Sequence, residues 1–414
     1  MSTIAPKPSY SHPARLIIVL AIAPAIGLGI CRFAYALVLP DMLESLGWSY
    51  SIAGFMNTIN AAGYLAGALA ANAVIGRLGL FNSVRISAAV CVLSLIVSAM
   101  TGQVVIFSIA RLVSGVAAAF AFIAGGALAS NVAQAQPQRQ AFYLSLFYVG
   151  PAAGILVSGI VAPFLLGWFG PGSWWMVWAA LAAVSSMAAM LLPLAHVAEP
   201  PILTGIDANG VSIRSLAIFL IGYVLFGAGY IAYMTFMVAY VRSAGGSELA
   251  QGAFWTCIGL GAFAQPWVWG SLMARARSGR VTALLIAITA VGALIPLMGK
   301  SPLVLCASAL LFGNALFAVV SSTTAFVRLN FRPEAWPKAI AVMTVSFGVG
   351  QTFGPIAIGA ITDAMGNLSY ALNVSAAVLV AGAAACLAYA AFRRDLKREK
   401  PTAGLCPTQT GWRI

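Results

Sequence analysis

Only 7% of the 414 residues are charged and 61% are hydrophobic, whereas about 25% of the residues of a soluble domain are charged. The mean hydropathy is +0.96. This composition excludes a soluble enzyme or a soluble nucleic-acid-binding domain and predicts an integral membrane protein. We attribute the formal net charge of +13 to membrane topology and to contact with anionic lipid headgroups.

Apolar runs long enough to cross the membrane recur along nearly the whole chain. A helix of about 20 residues crosses a hydrocarbon core of about 30 Å, and lipid cannot satisfy the open backbone groups of a loop or a sheet edge. The sequence therefore predicts an all-α membrane protein. We place twelve spans near 16–39, 49–75, 82–101, 103–131, 140–166, 173–194, 215–241, 247–273, 281–299, 302–328, 338–362 and 368–392.

Basic residues of the predicted loops and tails fall almost entirely on one side of the membrane. Only Arg242 and Lys300 fall on the other side. Because cytoplasmic loops are enriched in lysine and arginine, both termini are predicted to be cytoplasmic. The residues on the predicted cytoplasmic side are Lys7, Arg15, Arg77, Arg85, Arg139, Arg214, Arg275, Arg277, Arg280, Arg328, Arg332, Lys338 and the tail from Arg393 onward.

The longest polar stretch before the tail, "HVAEPPILTGIDANGVSIRS", begins at residue 196 and divides the spans six and six. Sliding the second half back by 200 residues sets "GAGYIAYMTF" against "GLGICRFAYA", so that Gly227 falls on Gly27. "GPAAG" at Gly150 also matches "GPIAIG" at Gly354, at an offset of 204. These matches predict an internal duplication. The predicted domains are a first bundle (1–195), a linker (196–214), a second bundle (215–392) and a basic tail (393–414).

Several motifs resemble those of the major facilitator superfamily (MFS) of transporters. "GRLGLFNSVR", which contains Arg77, resembles its cytoplasmic loop motif, and "GSLMARARSGR", which contains Arg275, resembles the repeat of that motif. Gly76 and Ala274 replace the usual acidic residue. "RLVSG" resembles the arginine motif of the fourth span, and "YVGPAAG" the Gly-Pro motif of the fifth. The sequences "GLGICRFAY", "LPDM" and "GAGYIAYMTF" look like the YbfB/YjiJ-type branch, which is bacterial.

This resemblance implies a fold, a location and a mechanism. The implied fold is two pseudo-symmetric six-helix bundles in a bacterial inner membrane. The implied mechanism is alternating access to a central site, without enzymatic activity. The residues expected to take part in the conformational change are Gly150, Pro151, Gly154, Gly354, Pro355, Arg77 and Arg275. Because glycine and proline allow helices to approach closely and bend, we expect the segment with Gly150, Pro151 and Gly154 to pack against a span of the opposite half, near the outer side.

Arg32 stands deep in the first predicted span, about 6 Å beyond its midpoint. A charge at that depth costs at least about 2.5 kcal/mol, so the side chain should face a neighbouring helix or an aqueous cavity. One interpretation is a structural contact with backbone carbonyl groups. The other, which we favour, is that the guanidinium binds an anionic substrate with Tyr35 beside it. Arg111 in the fourth span has the same two interpretations, and the sequence does not choose between them.

Other polar and aromatic residues of the spans are candidates for the wall of a central site. Asn57, Asn60 and Tyr64 share one face of the second span, where amides also commonly join helices. Each of the others is also explained by packing alone. The full set of predicted binding residues is Arg32, Tyr35, Asn57, Asn60, Tyr64, Arg111, Tyr230, Tyr233, Trp255, Asn314 and Gln351.

No Asp, Glu or His stands deep within a predicted span, and the six cysteines show no C-x-x-C spacing. We therefore expect no catalytic group, metal site, cofactor or disulfide. An electropositive site favours a small organic anion of the carboxylate type. The alternative is efflux of amphipathic or toxic compounds. The expected partners are this substrate, lipids and, as a candidate coupling ion, a proton. We expect a monomer that does not bind nucleic acid.

Overall fold

The computed structural model describes residues 10, 12–136, 139–195, 197, 213–273, 275–332 and 335–398. Side chains are described for all of these except 141, 337 and 393–398. Most of the predicted linker, Ala274 and the end of the basic tail lie outside the described residues.

Over the described residues the chain forms twelve long helices, and the predicted all-α membrane fold is confirmed. Most helix ends lie within about four residues of the predicted ones. The helices are α1 (Pro13–Leu46), α2 (Tyr50–Leu78), α3 (Leu80–Met100), α4 (Val104–Gln134), α5 (Gln140–Tyr148 and Gly150–Phe169), α6 (Trp174–Ala189), α7 (Ile213–Ser243), α8 (Glu248–Met273), α9 (Arg280–Met298), α10 (Pro302–Asn330), α11 (Trp336–Met365) and α12 (Leu368–Arg398).

Two helices differ in character from the prediction. The first is not a uniform α-helix: Ala25–Phe33 is π-helical, and the α-helix resumes over Tyr35–Leu46, beyond the predicted end at 39. Eleven of the twelve helices are long and apolar enough to span a membrane. The twelfth, α8, is long enough, but its glutamines, glycines, tryptophans and proline lower its hydropathy.

Close backbone contacts at glycine repeat between the two halves. A Cβ atom on Gly154 of α5 would lie 2.3 Å from the carbonyl oxygen of Ala25 in α1, and one on Gly354 of α11 would lie 2.4 Å from that of Ala228 in α7. Since a side chain cannot be placed so close, glycine is required at both positions. These contacts relate α5 to α11 at an offset of 200 residues and α1 to α7 at an offset of 203. The offset between the glycines is one helical turn from the 204 of the Gly150 and Gly354 match.

Over the described residues the halves meet most extensively where α2 packs against α11 and α5 against α8, and the distal part of α1 also contacts α7. We call the face where α1 begins the proximal face and the face with the α1–α2 loop the distal face. At the distal face Arg242 forms ion pairs with Glu44 at 2.7 Å and with Glu248 at 3.0 Å. Asp363 at the end of α11 accepts hydrogen bonds from the backbone N–H groups of Tyr50 and Ser51 at the start of α2. These contacts hold the distal ends of the two halves together.

Candidate functional site

Arg32 lies in the π-helical part of α1, which packs against α5 without intervening side chains. A Cβ atom on Gly29 would lie 2.5 Å from the carbonyl oxygen of Pro151. The Arg32 side chain extends to α11 of the other half, and only 3% of the residue is exposed. The arginine is therefore buried where the two halves meet, as expected for a residue of a central site.

The guanidinium of Arg32 has one hydrogen-bond partner among the described residues. Its Nη2 donates to Oε1 of Gln351, and the Tyr230 hydroxyl donates to the same oxygen at 2.8 Å. The Arg32 Nε atom is buried and has no partner within the described part of the chain, and the same is true of Gln351 Nε2. The guanidinium carbon also lies 5.3 Å from the centre of the Tyr64 ring.

Arg111 of α4 is held in a different way, because its donors are directed at several acceptors. The Nη1 group donates to the carbonyl oxygen of Cys31. The Nη2 group donates to the Arg32 carbonyl oxygen at 3.4 Å and to Asn57 Oδ1 at 3.2 Å, and Nε donates to the Met56 carbonyl oxygen at 3.4 Å. Arg111 thus joins α4 to α1 and α2, which is the geometry of a structural contact.

Tyr35 lies beside Arg111 and not beside Arg32. The Arg111 guanidinium carbon is 4.7 Å from the centre of the Tyr35 ring, and the Tyr35 hydroxyl donates to the Ala53 carbonyl oxygen at 3.1 Å. The expected pairing with Arg32 assumed an unbroken α-helix. A π-helical turn holds more residues than an α-helical one, so the three-residue spacing does not carry across it.

The polar stripe of α2 joins helices. Asn57 donates to Thr235 Oγ1 of α7 and accepts from Arg111, so it links the two halves. Asn60 donates to the Arg111 carbonyl oxygen at 2.9 Å and to Ser114 Oγ at 3.1 Å, both in α4. Of the three predicted residues of this stripe, Tyr64 is the one that contacts the Arg32 guanidinium.

Three candidates of the second half contact neighbouring helices and have no described contact with Arg32. The Tyr233 ring stacks on Phe312 at 4.0 Å between centroids. Asn314 donates to the Gly261 carbonyl oxygen of α8 at 3.0 Å. Trp255 donates to Ser158 Oγ of α5 at 3.2 Å, across the boundary between the halves. Their geometry is that of helix packing.

The conformational candidates are also placed. Gly150 and Gly154 pack against Ala21 and Ala25 of α1 in their own half, so the prediction that they contact the opposite half is wrong. The contact with α8 involves the residues that follow: Ile155 and Leu156 face Gly259, and a Cβ atom on Gly159 would lie 2.8 Å from Thr256 Oγ1. The backbones of α5 and α1 approach closely because Gly154 faces Gly29. In the second half Gly354 approaches α7 and the Pro355 carbonyl faces Gly54 of α2. Arg77 and Arg275 are exposed.

Sequence reasoning missed Thr235 and Phe347. Thr235 donates to the Ile231 carbonyl oxygen of its own helix at 2.6 Å, a common arrangement for threonine that gives no sign of a site. Phe347 stacks on Tyr230 at 5.4 Å and on Tyr223 at 5.1 Å. Phe347 stands one helical turn before Gln351. This spacing predicts a place near the site only if Gln351 is already known to lie at the centre.

Two pseudo-symmetric six-helix bundles with a polar site where they meet define a transporter of the major facilitator superfamily. Residues 24–387 match the family described as "Uncharacterised MFS-type transporter YbfB". The chain belongs to this family, which confirms the resemblance found in the sequence, and it is a multi-pass membrane transporter rather than an enzyme. Comparison with curated proteins finds no match.

Solved structures of other transporters share the fold. A mutant of the nucleoside transporter NupG is 14% identical, with a TM-score of 0.67 over 90% of this chain and 99% of that one. A bacterial homologue of the human lysosomal transporter Spinster, in an inward-facing and unoccupied conformation, is 12% identical, with a TM-score of 0.70 over 96% of this chain and 100% of that one.

Proposed function

We propose that this protein is a secondary active transporter that moves a small organic anion of the carboxylate type across the bacterial inner membrane by alternating access. Arg32 is the group that binds the anion. The observation that carries this proposal is the burial of its guanidinium between the halves, where Gln351, a neutral residue, is its one hydrogen-bond partner among the described residues.

The charge of Arg32 is not neutralised within the described part of the chain. The acidic residues whose side chains are described stand at helix ends of the distal face: Asp41, Glu44, Glu248 and Asp363. A cation at this depth costs at least about 2.5 kcal/mol. An anionic substrate would offset that cost, and a cationic substrate would add to it.

Arg111 does not compete for the same role. Its guanidinium already donates to three carbonyl oxygens and one amide oxygen. An anion at Arg111 would have to break these contacts, whereas an anion at Arg32 would have to replace only one. The proposal therefore assigns anion binding to one arginine and helix assembly to the other.

The distribution of basic residues supports a cytoplasmic proximal face, with both termini inside. Under that orientation the contacts of Arg242 and Asp363 close the periplasmic side. Opening of the site to the periplasm would require these contacts to break.

The second candidate function is efflux of amphipathic compounds. It is supported by the aromatic cluster of Tyr223, Phe226, Tyr230 and Phe347, whose rings stack at 5.1–5.9 Å. Such rings offer apolar contact area to a substrate without charge. The two functions differ in their need for Arg32.

Thermal stabilisation of the purified protein by a panel of carboxylates, neutral toxins and cationic toxins tests the proposal, because a ligand of the folded state raises its stability. We expect a carboxylate to stabilise the wild type and Arg85→Gln, which removes an exposed arginine, but not Arg32→Gln. Stabilisation only by neutral or cationic compounds, equal in all three proteins, would refute the anion proposal and favour efflux.

A further inference from the structure

The edge of the Arg32 guanidinium that faces Gln351 has more donors than acceptors. The N–H of Nε and one N–H of Nη2 lie side by side on this edge, because the guanidinium is planar. Nη2 donates to Gln351 Oε1, while Nε has no partner among the described residues. An amide offers this edge one acceptor atom. A carboxylate offers two, at the spacing of the two donors, and carries the opposite charge.

Gln351 occupies the position that such a carboxylate would take. Its Oε1 accepts from both Arg32 and Tyr230, the two donors that an anion would use. Its own Nε2 is buried without a partner among the described residues, and the residue is only 1% exposed. Leaving a buried donor unpaired costs about 1–3 kcal/mol. The glutamine is therefore an imperfect partner for Arg32, and a ligand can replace it without breaking a complete network.

The surroundings of Arg32 indicate the rest of the ligand. The guanidinium lies against the rings of Tyr64 and Phe33, and Phe33 contacts Phe317 at 6.1 Å between centroids. On the other side, Phe347 stacks on Tyr230. Because the Arg111 guanidinium is already occupied, the site offers one cation and several aromatic surfaces. A second carboxylate of a ligand would find no second free cation among the described residues of the site.

We infer that the substrate is a monocarboxylate with an apolar, ring-bearing body, and that its carboxylate replaces the Gln351 side-chain oxygen at Arg32. This inference rests on the proposed function and specifies its substrate class. It also gives binding a conformational consequence. Since Arg32 belongs to α1 and Gln351 to α11, the replacement breaks a contact between the two halves and leaves the ligand between them.

Binding of defined acids to variants of Gln351 tests the inference. The probes are benzoate, 3-phenylpropionate, acetate, succinate and citrate, measured by calorimetry with purified protein. In the wild type we expect the two ring-bearing acids to bind at least about tenfold more tightly than the other three, since only they use both the cation and the rings. Tighter binding of succinate or citrate would overturn the substrate class but would leave the anion proposal standing.

Gln351→Glu places a permanent carboxylate opposite Arg32, so we expect it to weaken binding of the ring-bearing acids by at least about tenfold. Gln351→Met removes the competing oxygen at similar length and should bind them as tightly as the wild type or more tightly. Gln103→Glu, the same change at an exposed position just before α4, is the matched control and should bind like the wild type.

Wild-type affinity in Gln351→Glu, or a tenfold loss in Gln351→Met, would show that Gln351 does not stand in for the ligand, and would overturn the inference. If Gln351→Glu does not fold, Gln351→Met and the acid panel on the wild type still decide. Failure of the wild type to bind any acid would instead refute the proposed function itself.

Discussion

Arg32→Lys and Arg111→Lys are the same chemical change at two buried sites, and we expect opposite results. Both variants keep the positive charge, so the cost of placing a cation in the membrane is similar before and after substitution. Both lose the planar guanidinium, which a lysine ammonium cannot replace at a site with several separated acceptors. The outcome therefore depends on how many contacts each guanidinium makes.

The structure gives the magnitudes. Arg111 donates to four acceptors on α1 and α2, and an ammonium at one point cannot reach all of them. Losing two such contacts costs about 1–3 kcal/mol of the free energy of unfolding, at about 0.6–1.7 kcal/mol for each hydrogen bond between membrane helices. Among the described residues Arg32 donates only to Gln351. A lysine can keep one such contact, so the stability of Arg32→Lys should change by less than about 1 kcal/mol.

Two assays separate the effects. Unfolding of the purified variants in denaturing detergent measures stability, and calorimetry measures binding of the acid that stabilises the wild type. Arg111→Lys should unfold more readily and retain binding while folded. Arg32→Lys should remain stable and bind the acid more weakly by about 1–3 kcal/mol, because the two-donor edge is lost. A larger loss of stability in Arg32→Lys than in Arg111→Lys would refute the assignment of the two arginines.

Two further predictions concern the contacts between helices. Arg242→Gln removes the ion pair to Glu44, whose side chain is 58% exposed, so closure of the distal face should weaken by no more than about 1 kcal/mol. Distances measured between spin labels at the distal ends of α1 and α7 should therefore become longer. An unchanged distribution of distances would contradict a role of Arg242 in closing this face. Gly154→Leu places a side chain on the Ala25 carbonyl oxygen, where a Cβ atom alone would lie at 2.3 Å, so the yield of folded protein should fall. Gly76→Leu, with no atom within 4 Å of the added Cβ, is the control, and equal yields would show that α1 and α5 can separate.

The helices and the burial of Arg32 between helices could be predicted from the sequence, because both follow from the cost of placing polar groups in lipid. That cost shows where a helix must lie, and which residues need a partner, without showing the partner. The pairing of Arg32 with Gln351 joins residues 319 positions apart, and no local spacing encodes it. The neighbour of Tyr35 was unpredictable for another reason, since Ala25–Phe33 is π-helical in a sequence that fits an α-helix equally well.

Arg32 and Arg111 lie at comparable depth but differ in the number of hydrogen-bond acceptors around each guanidinium. The sequence does not show this difference. The fold supplies Arg111 with backbone carbonyl groups of α1 and α2, so its charge is used for assembly. Within the described part of the chain Arg32 has one neutral acceptor, Gln351 Oε1, and its Nε donor is unpaired. The helix of the second half that corresponds to α1 is α7, and it has no basic residue between Arg214 and Arg242. Packing of the repeated framework therefore does not require an arginine deep in this helix. A charge that the framework does not need, and that its neighbours do not satisfy, is the property expected of a group that binds substrate.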